Sequence, residues 1–358
     1  MNKTKIPMNL DSEMKVKGMY GQLDDWYGYP YAPVQRINTP ISPKENYLNY
    51  LNGKDYEWVP DVHADKVEIT PHCIPDIVAC GFSGGKDSFG VNWVLGPNPE
   101  LPAFPEEGVI KLDDISNWRS LEFPDVDSWG WEEESKRYRE FYKDDDRSFR
   151  GVIMIGFFER MISLMGFENA AMALLEDPEE TVEFLNAVAD VNIKMADHYI
   201  DDFGCDSILF HDDWSSQNGQ FFSTDTAMNV LVPPVKKLVD HIKSRGAVPM
   251  FHSCGNGLKL VPAYKATGVR VWQAQYNVYD LKELIEACGD DIIVEIYPDL
   301  EEEVTEDELE SVVADYLKYA KLHRFSPEIV DFKDGRWEKT RLEFYRQART
   351  LAVESQSA

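Results

Sequence analysis

The sequence predicts an α/β fold, a single (β/α)8 TIM barrel with an irregular N-terminal extension. From residue 151 onward, short apolar runs alternate with longer helical patterns, and these runs begin near residues 152, 207, 247, 269 and 291. Such alternation is typical of parallel strands that helices cover on both faces. The length of 358 residues suits one barrel, and no change in composition marks a second domain. We therefore expect one domain over residues 1–358, with an arm over 1–40 and the barrel over 41–358.

Local composition predicts the arm and the first helix. Residues 1–40 are rich in Tyr, Pro and Gly and show no periodicity, which indicates irregular structure. A helix is predicted directly after the arm. Ser42 can cap its first turn, Pro43 suits that turn, and Glu45 follows the cap at the spacing of a capping box. Gly53 is expected to end this helix.

The remaining elements follow from composition and periodicity. The stretch from residue 95 to residue 150 is rich in Pro, Asp and Trp, which predicts loops and a short helix. The apolar run that starts at residue 151 is followed by one long helical segment that extends to about Asp202. Further helices are predicted at 233–246, 279–289, 306–323 and 336–350.

The charge of the chain excludes two classes of partner. Lys and Arg number 36 and Asp and Glu number 64, so the formal net charge is -28 and the isoelectric point is near 4.6. Such a surface repels phosphate backbones and anionic lipid heads, which argues against binding of nucleic acid and of membrane surfaces. In addition, no stretch approaches the roughly 18 consecutive apolar residues that a membrane-spanning helix needs.

The expected compartment is the cytoplasm. The first residues lack the apolar run of a signal peptide. The five cysteines are an odd number and are scattered, which suits a reducing environment better than a disulfide framework. The sequence does not fix the oligomeric state, and a homodimer is retained as one option.

Ionisable or amide side chains follow each of the predicted strands. In an α/β barrel the site lies at the C-terminal ends of the strands, so these residues are candidates for chemistry. A loop with a purely structural role would more often contain Gly, Asn or Ser at such positions. The candidates, in chain order, are Glu159 and Arg160; His211, Asp212 and Asp213; His252 and Cys254; Gln273 and Gln275; Glu295, Tyr297 and Asp299.

The most specific pattern is the His252-Ser253-Cys254 tripeptide. Residues i and i+2 of an extended segment point to the same side, so an imidazole and a thiolate can converge on one ion. Zinc accepts such ligands, and a catalytic zinc site has three protein ligands and an open position. The alternative is a buried histidine beside an inert cysteine, and the tripeptide alone does not decide between the two. For a third ligand, Glu295 is our first choice, with His211 and Asp213 as alternatives, whereas Cys288 is expected to pack within a helix.

The neighbouring polar residues have two interpretations each. Asp212 and Asp213, together with His211, can orient a substrate or transfer protons, since adjacent carboxylates in a closed site acquire different pKa values. Alternatively, the two acids cap the next helix. Gln273 is a candidate substrate contact. Four aromatic residues either form the wall of a substrate pocket or belong to the core, and these are Trp214, Trp272, Tyr276 and Tyr297.

One motif resembles a nucleotide-binding loop, but we interpret it as a loop that binds no nucleotide. Residues Ser83–Ser88 match the pyrophosphate-binding loop of ATP-dependent adenylyl-forming ligases. That loop requires a helix directly after it, whose N-terminus holds the phosphate. The residues that follow here are rich in β-formers and are soon interrupted by Gly96-Pro97. We therefore expect no ATP site.

Six short stretches, spread from residue 42 to beyond residue 250, carry a family resemblance. They are Ser42–Gly53, Gly85–Trp93, Leu112–Trp118, Gly156–Glu179, Phe210–Phe222 and Phe251–Leu258. Through them the chain resembles the uroporphyrinogen decarboxylase superfamily, and specifically its cobamide-dependent methyltransferase branch. The resemblance implies an α/β barrel with a site at its mouth. It also implies methyl transfer to or from a corrinoid that a separate protein carries.

The resemblance has implications for the metal and for the substrate. Members of the branch bind zinc through H-x-C and a later cysteine, and His252 and Cys254 match the first two ligands. No cysteine follows Cys288, so the later ligand does not match. This departure argues against the type that methylates coenzyme M. True decarboxylases carry an arginine-rich N-terminal motif that binds substrate propionates, and the chain has nothing similar.

The sequence thus predicts a zinc-assisted, corrinoid-dependent methyltransferase that demethylates a small compound of the methoxylated aromatic or methylamine type. Its expected cofactors are zinc and a corrinoid on a partner protein. Activation of a thiol with a methylcorrinoid donor is the first alternative. A metal-dependent lyase, such as a decarboxylase related to uroporphyrinogen decarboxylase, or a hydrolase is the second, and a binding protein without catalysis is the third. Fold alone does not choose among them.

Overall fold

The computed structural model of the chain describes residues 6–23, 33–79, 81, 83–98, 101–275, 277–296, 306–319, 325–327 and 337–355. Its strands, numbered in chain order, are β1 (Val16–Tyr20), β2 (Val34–Ile37), β3 (Lys66–Ile69), β4 (Gly85–Lys86), β5 (Asn92–Val94), β6 (Phe104–Pro105), β7 (Ser148–Ile153), β8 (Ser207–His211), β9 (Ser215–Ser216), β10 (Gly219–Gln220), β11 (Val248–Ser253), β12 (Val271–Ala274), β13 (Ile293–Ile296) and β14 (Phe325–Pro327).

The α-helices surround these strands. In chain order they are α1 (Leu10–Glu13), α2 (Pro43–Leu51), α3 (Val62–Asp65), α4 (Trp131–Phe141), α5 (Phe158–Met165), α6 (Phe167–Glu176), α7 (Pro178–Phe203), α8 (Thr224–Thr226), α9 (Val232–Ser244), α10 (Val261–Thr267), α11 (Leu281–Cys288), α12 (Glu306–Leu317) and α13 (Trp337–Ser355). None of the helices in the described part of the chain is both long enough and apolar enough to cross a membrane.

The central sheet is parallel throughout and has the order β14-β13-β12-β11-β8-β7-β3. It curls into a TIM-barrel-like α/β fold, which confirms the predicted fold class. Five of the strands, β7, β8, β11, β12 and β13, match the five predicted apolar runs. The described residues contain seven strands of this sheet, where the prediction was eight, and β3 and β14 were not predicted.

The interior of the barrel contains a buried ion network instead of an apolar layer. Arg150 on β7 is fully buried, and its guanidinium donates to Glu68 on β3 at 3.0 Å and to Glu295 on β13 at 2.5 Å. Lys66 pairs with the same Glu68. Burial alone would raise the pKa of Glu68, but Arg150 and Lys66 outweigh it and lower this pKa to about 2. Opposite charges therefore connect three strands across the barrel.

The predicted cap of helix α2 is confirmed. The Oγ atom of Ser42 accepts from the backbone N–H of Glu45 at 3.1 Å, and Pro43 occupies the first turn. The helix ends at Leu51, two residues before Gly53, which adopts a positive φ of 66°. The predicted motif thus has the physical role expected of it.

Two predictions on secondary structure need correction. The long helical segment after residue 157 is three helices, α5, α6 and α7, because Gly166 with φ 79° and then Pro178 interrupt it. The arm is less irregular than predicted, since it forms α1 and the antiparallel pair β1–β2. Glu13 explains the order of this segment, because its carboxylate accepts from Arg349 at 3.0 Å and from Tyr345 at 2.8 Å.

The residues that follow the Ser83–Ser88 motif form a turn and strand β5 rather than a helix. Asp87 explains the turn. This buried carboxylate accepts from the backbone N–H of Phe89 and of Val91 and from Arg160 Nη1 at 2.7 Å. The motif therefore lacks the helix N-terminus that phosphate binding of this type requires.

Candidate metal centre

Parallel register aligns the candidate side chains at the C-terminal end of the sheet. His211 on β8 lies opposite His252 on β11, His252 opposite Gln273 on β12, and Gln273 opposite Glu295 on β13. Cys254 follows β11 directly, and Asp213 comes two residues after the end of β8. The row therefore places the predicted residues at the edge where an α/β barrel has its site.

Three of these residues bring potential metal ligands together. The Nε2 atom of His252 lies 3.1 Å from the Sγ atom of Cys254, as the i and i+2 spacing predicts. A carboxylate oxygen of Asp213 completes the group, in which all three ligand atoms lie within 4.8 Å of one another. The backbone N–H of Cys254 donates to Asp213 Oδ1 at 2.6 Å and fixes this carboxylate beside the thiol.

The donor set suits a zinc ion. One nitrogen, one sulfur and one carboxylate oxygen are the ligand types that zinc accepts, and three protein ligands leave a fourth position for a reactant. The three side chains are half-buried, so the group is both partly desolvated and accessible. The residues present therefore fit the metal that the sequence predicts at His252 and Cys254.

The structure corrects the choice of Glu295 as the third ligand. Glu295 belongs to the same register row, but it lies two strands away from His252 and its carboxylate pairs with Arg150. Gln273, predicted as a substrate contact, is buried and donates to Glu295 Oε1 at 3.1 Å. Within the described residues, the group of three ligands contains Asp213 and not Glu295.

Asp212 has a structural position, although it was predicted as a catalytic residue. Its carboxylate is fully buried, accepts from the backbone N–H of Glu159 at 2.9 Å, and accepts from Trp214 Nε1 at 2.6 Å. It thus caps the start of α5, a helix that precedes it in the chain, and not the next helix, which the sequence left open as the alternative. Burial raises the pKa of Asp212 to about 6.

Gly156 makes this cap geometrically feasible. A Cβ atom at residue 156 would lie 2.4 Å from the carbonyl oxygen of His211 and 2.7 Å from the Cβ atom of Asp212. Only a residue without a side chain lets the end of β7 approach the end of β8 so closely. The two strand ends are consequently held as one unit.

Glu159 is a residue of the site that sequence reasoning named only as a strand end. Burial is the main cause that raises the pKa of Glu159 well above its usual range, and the nearby carboxylates of Asp213 and Asp212 add to this effect. The backbone N–H of Asp213 also donates to the carboxylate of Glu159. The pattern that could have identified it is an ionisable residue directly after an apolar strand.

His211 lies beside the metal ligands and is not one of the three. Its ring is 4.4 Å from the ring of His252, measured between centroids. Burial lowers the pKa of His211 well below its usual range, and His252 and Arg150 contribute to this shift. The lowered pKa favours the neutral imidazole, which can accept a proton or a hydrogen bond.

The predicted aromatic wall is not found at the described positions. Trp214 and Trp272 are both fully buried, and Trp214 packs against Phe251 and Tyr264 in the core. Trp214 is therefore a core residue and not a substrate contact. Tyr276 and Tyr297 lie outside the described residues. Cys288 is buried at the end of α11, as predicted.

The four cysteines that the structure describes are all free thiols: Cys73, Cys205, Cys254 and Cys288. Cys80 lies outside the described residues. Cys254 differs from the other three because a histidine nitrogen and a carboxylate face it. A metal centre rather than a disulfide is therefore the chemistry that this thiol can support.

Just under half of the chain is similar to a known family. Residues 147–318 match the family model of uroporphyrinogen decarboxylase (URO-D). This segment contains β7, β8, β11, β12 and β13, and hence all three potential ligands. No curated protein matches the chain.

One solved structure shares the fold, and others give lower TM-scores. A methyltransferase from Methanosarcina mazei aligns with a TM-score of 0.59 at 14% identity, over 87% of this chain and 98% of that chain. A proposed vitamin-B12-independent methionine synthase from Listeria monocytogenes gives 0.38 at 14% identity, over 62% and 68%. A sugar phosphate isomerase/epimerase from Parabacteroides distasonis gives 0.38 at 10% identity, over 69% and 82%. Residues 147–318, just under half of the chain, are therefore similar to the uroporphyrinogen decarboxylase family, and the likeness to the Methanosarcina mazei methyltransferase concerns the fold.

Proposed function

We propose that the chain is a cytoplasmic methyltransferase that moves a methyl group from a small methylated compound to the cobalt of a corrinoid on a partner protein. The donor is of the methoxylated aromatic or methylamine type, and a zinc ion assists the transfer. One observation carries this proposal: Asp213, His252 and Cys254 bring three ligand atoms within 4.8 Å of one another at the mouth of the barrel. A metal-binding group at that edge is typical of a catalytic site.

The comparisons support the proposal at a coarser level. The family model covers the strands that contain the group, and a structure that aligns with most of the chain is a methyltransferase. At 14% identity this likeness concerns the fold, so the reaction has to be argued from the residues. The H-x-C pattern and the carboxylate beside it are the residues that argue for it.

The chemistry explains why such a group is needed. The bond between the methyl carbon and its heteroatom would break, and the heteroatom would keep the electron pair of that bond. A Co(I) corrinoid on the partner protein would supply the electron pair of the new methyl–cobalt bond. Alkoxides and amides are poor leaving groups, and a zinc ion bound by Asp213, His252 and Cys254 would supply Lewis acidity to stabilise the charge on the heteroatom. Glu159 lies near Asp213, and burial raises the pKa of its carboxyl, so we assign to Glu159 the donation of a proton to the heteroatom.

Metal content tests the ligand assignment. We expect one zinc ion per chain in the wild-type protein and a large loss in His252→Ala, Cys254→Ala and Asp213→Ala, since each change removes one of three protein ligands. Cys73→Ala is the matched control, because this thiol is also half-buried and lies outside the group. Equal zinc content in all the variants by elemental analysis would contradict the assignment.

The reaction is tested by the absorbance change from cob(I)alamin to methylcobalamin with a panel of methoxylated aromatics and methylamines. The proposal expects methylation of the corrinoid without any added thiol. If no donor reacts while a thiol demethylates methylcobalamin rapidly, the function is thiol methylation instead. If neither reaction occurs and a carboxylated compound loses CO2, the chain is a lyase.

A further inference from the structure

The loop that contains Cys254 is held by side chains from both of its neighbours. The carbonyl oxygen of Cys254 accepts from Ser215 Oγ at 2.8 Å, and its N–H donates to Asp213 at 2.6 Å. The next N–H, that of Gly255, donates to Gln275 Oε1 at 2.7 Å. The main chain around this potential ligand is therefore fixed by groups that follow β8 on one side and β12 on the other.

On the β12 side, Tyr279 makes two hydrogen bonds to the backbone of the loop. Its hydroxyl group donates to the carbonyl oxygen of Gly255 and accepts from the N–H of Gly257 at 2.8 Å. One phenol thus connects two backbone groups that lie one and three residues after Cys254. Neither of these bonds involves Cys254 itself, so Tyr279 acts on the thiol only through the loop.

The ring of Tyr279 is itself held in place. It packs edge-to-face against Trp272, with the centroids 5.6 Å apart and an angle of 79° between the planes. Trp272 is fully buried. The next residue, Asp280, caps helix α11 by accepting from the N–H of Glu283 at 3.0 Å. Core packing and a helix cap therefore hold the hydroxyl group at one position, and it can act as a rigid support.

The opposite side of the loop leaves no room for adjustment. Gly255 has a φ of 76°, and a Cβ atom there would lie 2.4 Å from the carbonyl oxygen of Ser215. The loop is thus pressed against β9 on one side and braced by Tyr279 on the other. Loss of the Tyr279 hydroxyl group is therefore expected to let the loop move away from β9, because the close contact with Ser215 prevents movement towards β9.

We propose that Tyr279, assisted by Gln275, is a positioning residue that sets the affinity and the coordination geometry of the metal at Cys254. The inference rests on the metal centre proposed above. Residues that orient metal ligands through hydrogen bonds typically change metal affinity by about 10–100-fold when they are replaced. Tyr279 differs from the usual case because it orients the main chain that follows the ligand rather than the ligand's side chain.

The test compares Tyr279→Phe with Tyr199→Phe. Tyr199 is a matched control, since its buried hydroxyl group also donates to a backbone carbonyl, that of Val152 at 2.6 Å, outside the Cys254 loop. Zinc affinity is measured by competition with a chromophoric chelator, and the Co²⁺-substituted proteins are compared by absorption spectroscopy. We expect zinc affinity to fall about tenfold in Tyr279→Phe, with a shifted thiolate-to-cobalt band, and neither change in Tyr199→Phe.

A second pair of variants separates positioning from general loss of stability. Gln275→Leu removes the acceptor for the N–H of Gly255 and should weaken zinc binding, whereas Gln275→Glu keeps an acceptor and should restore it. This pair decides the question if Tyr279→Phe does not fold.

Two outcomes overturn different claims. Wild-type protein that binds no zinc overturns the proposed metal centre, and this inference with it. Wild-type protein that binds zinc, together with unchanged affinity and spectra in Tyr279→Phe and Gln275→Leu, overturns the positioning role alone.

Discussion

Replacement of Arg150 by Met tests whether the ion network in the barrel stabilises the fold. Arg150→Met keeps an unbranched apolar side chain at this position and removes the charge that lies between Glu68 and Glu295. All three side chains are almost fully buried, so the two carboxylates lose this cation in a medium that solvates charge poorly. Removal of one partner of a buried ion pair typically costs about 3–5 kcal/mol of unfolding free energy.

The size of the chain converts this cost into a melting temperature. An unfolding entropy of about 2.1 cal/mol/K per residue gives roughly 0.75 kcal/mol/K for the 358 residues. The expected fall in melting temperature is therefore about 4–7 °C, measured by circular dichroism at neutral pH. Arg119→Met is the control, because Arg119 is half exposed and its surface pairs with Glu180 and Glu183 contribute at most about 1 kcal/mol.

The stabilisation by the ion network is expected to depend on pH. Burial alone would raise the pKa of Glu68, but Arg150 and Lys66 lower it from 4.5 to about 2. A carboxylate with a depressed pKa stabilises the fold fully above pH 4.5, and this stabilisation is lost as the pH falls towards 2. In Arg150→Met the carboxylates take up protons at higher pH, so the difference between the two proteins should shrink as the pH falls towards the unfolded-state pKa of 4.5. A fall below 1 °C, or one of equal size at pH 7.5 and pH 4.5, would refute the reasoning.

Two further changes probe the strand ends and the arm. Gly156→Ala should cost about 1–3 kcal/mol in urea unfolding and should weaken zinc binding, because its Cβ atom would push the end of β8 away from β7. Gly18→Ala, with open space around residue 18, should be neutral, and equal stability of the two variants would contradict this account. Arg349→Met should release the arm from Glu13, so that trypsin cleaves after Lys15 or Lys17 about tenfold faster or more. Unchanged cleavage would show that other contacts hold the arm.

The hydrophobic pattern predicted β7 and β13, which have one buried charged residue each, and missed β3, in which two of four residues are charged. The segment Lys66–Ile69 contains Lys66 and Glu68, and both are buried because Arg150 on β7 and the pair itself neutralise them. A pattern of apolar residues cannot reveal charges that are paired across the barrel. The strand Phe325–Pro327 has only three residues and is too short for any periodicity.

Part of the site follows from local geometry and part does not. The convergence of His252 and Cys254 depends on alternation along one strand, which the sequence shows directly. The choice between Asp213 and Glu295 depends on a contact in space, because Glu295 pairs with Arg150 far away in the chain. The buried Trp214 illustrates the same limit, since an aromatic residue after a strand has equal reason to face the core or the mouth.

The two strands that lead to the proposed metal ligands are neighbours in the sheet, but Asp213 and Cys254 are 41 positions apart in the sequence. Parallel strands of this kind meet only after the helices between them have packed, so the complete group of ligands forms late in folding. A metal that needs all three ligands has no such site in the early stages. Metal binding would therefore slow unfolding and leave the rate of folding nearly unchanged. The metal would thus lengthen the lifetime of the folded protein without helping to nucleate the folding of the barrel.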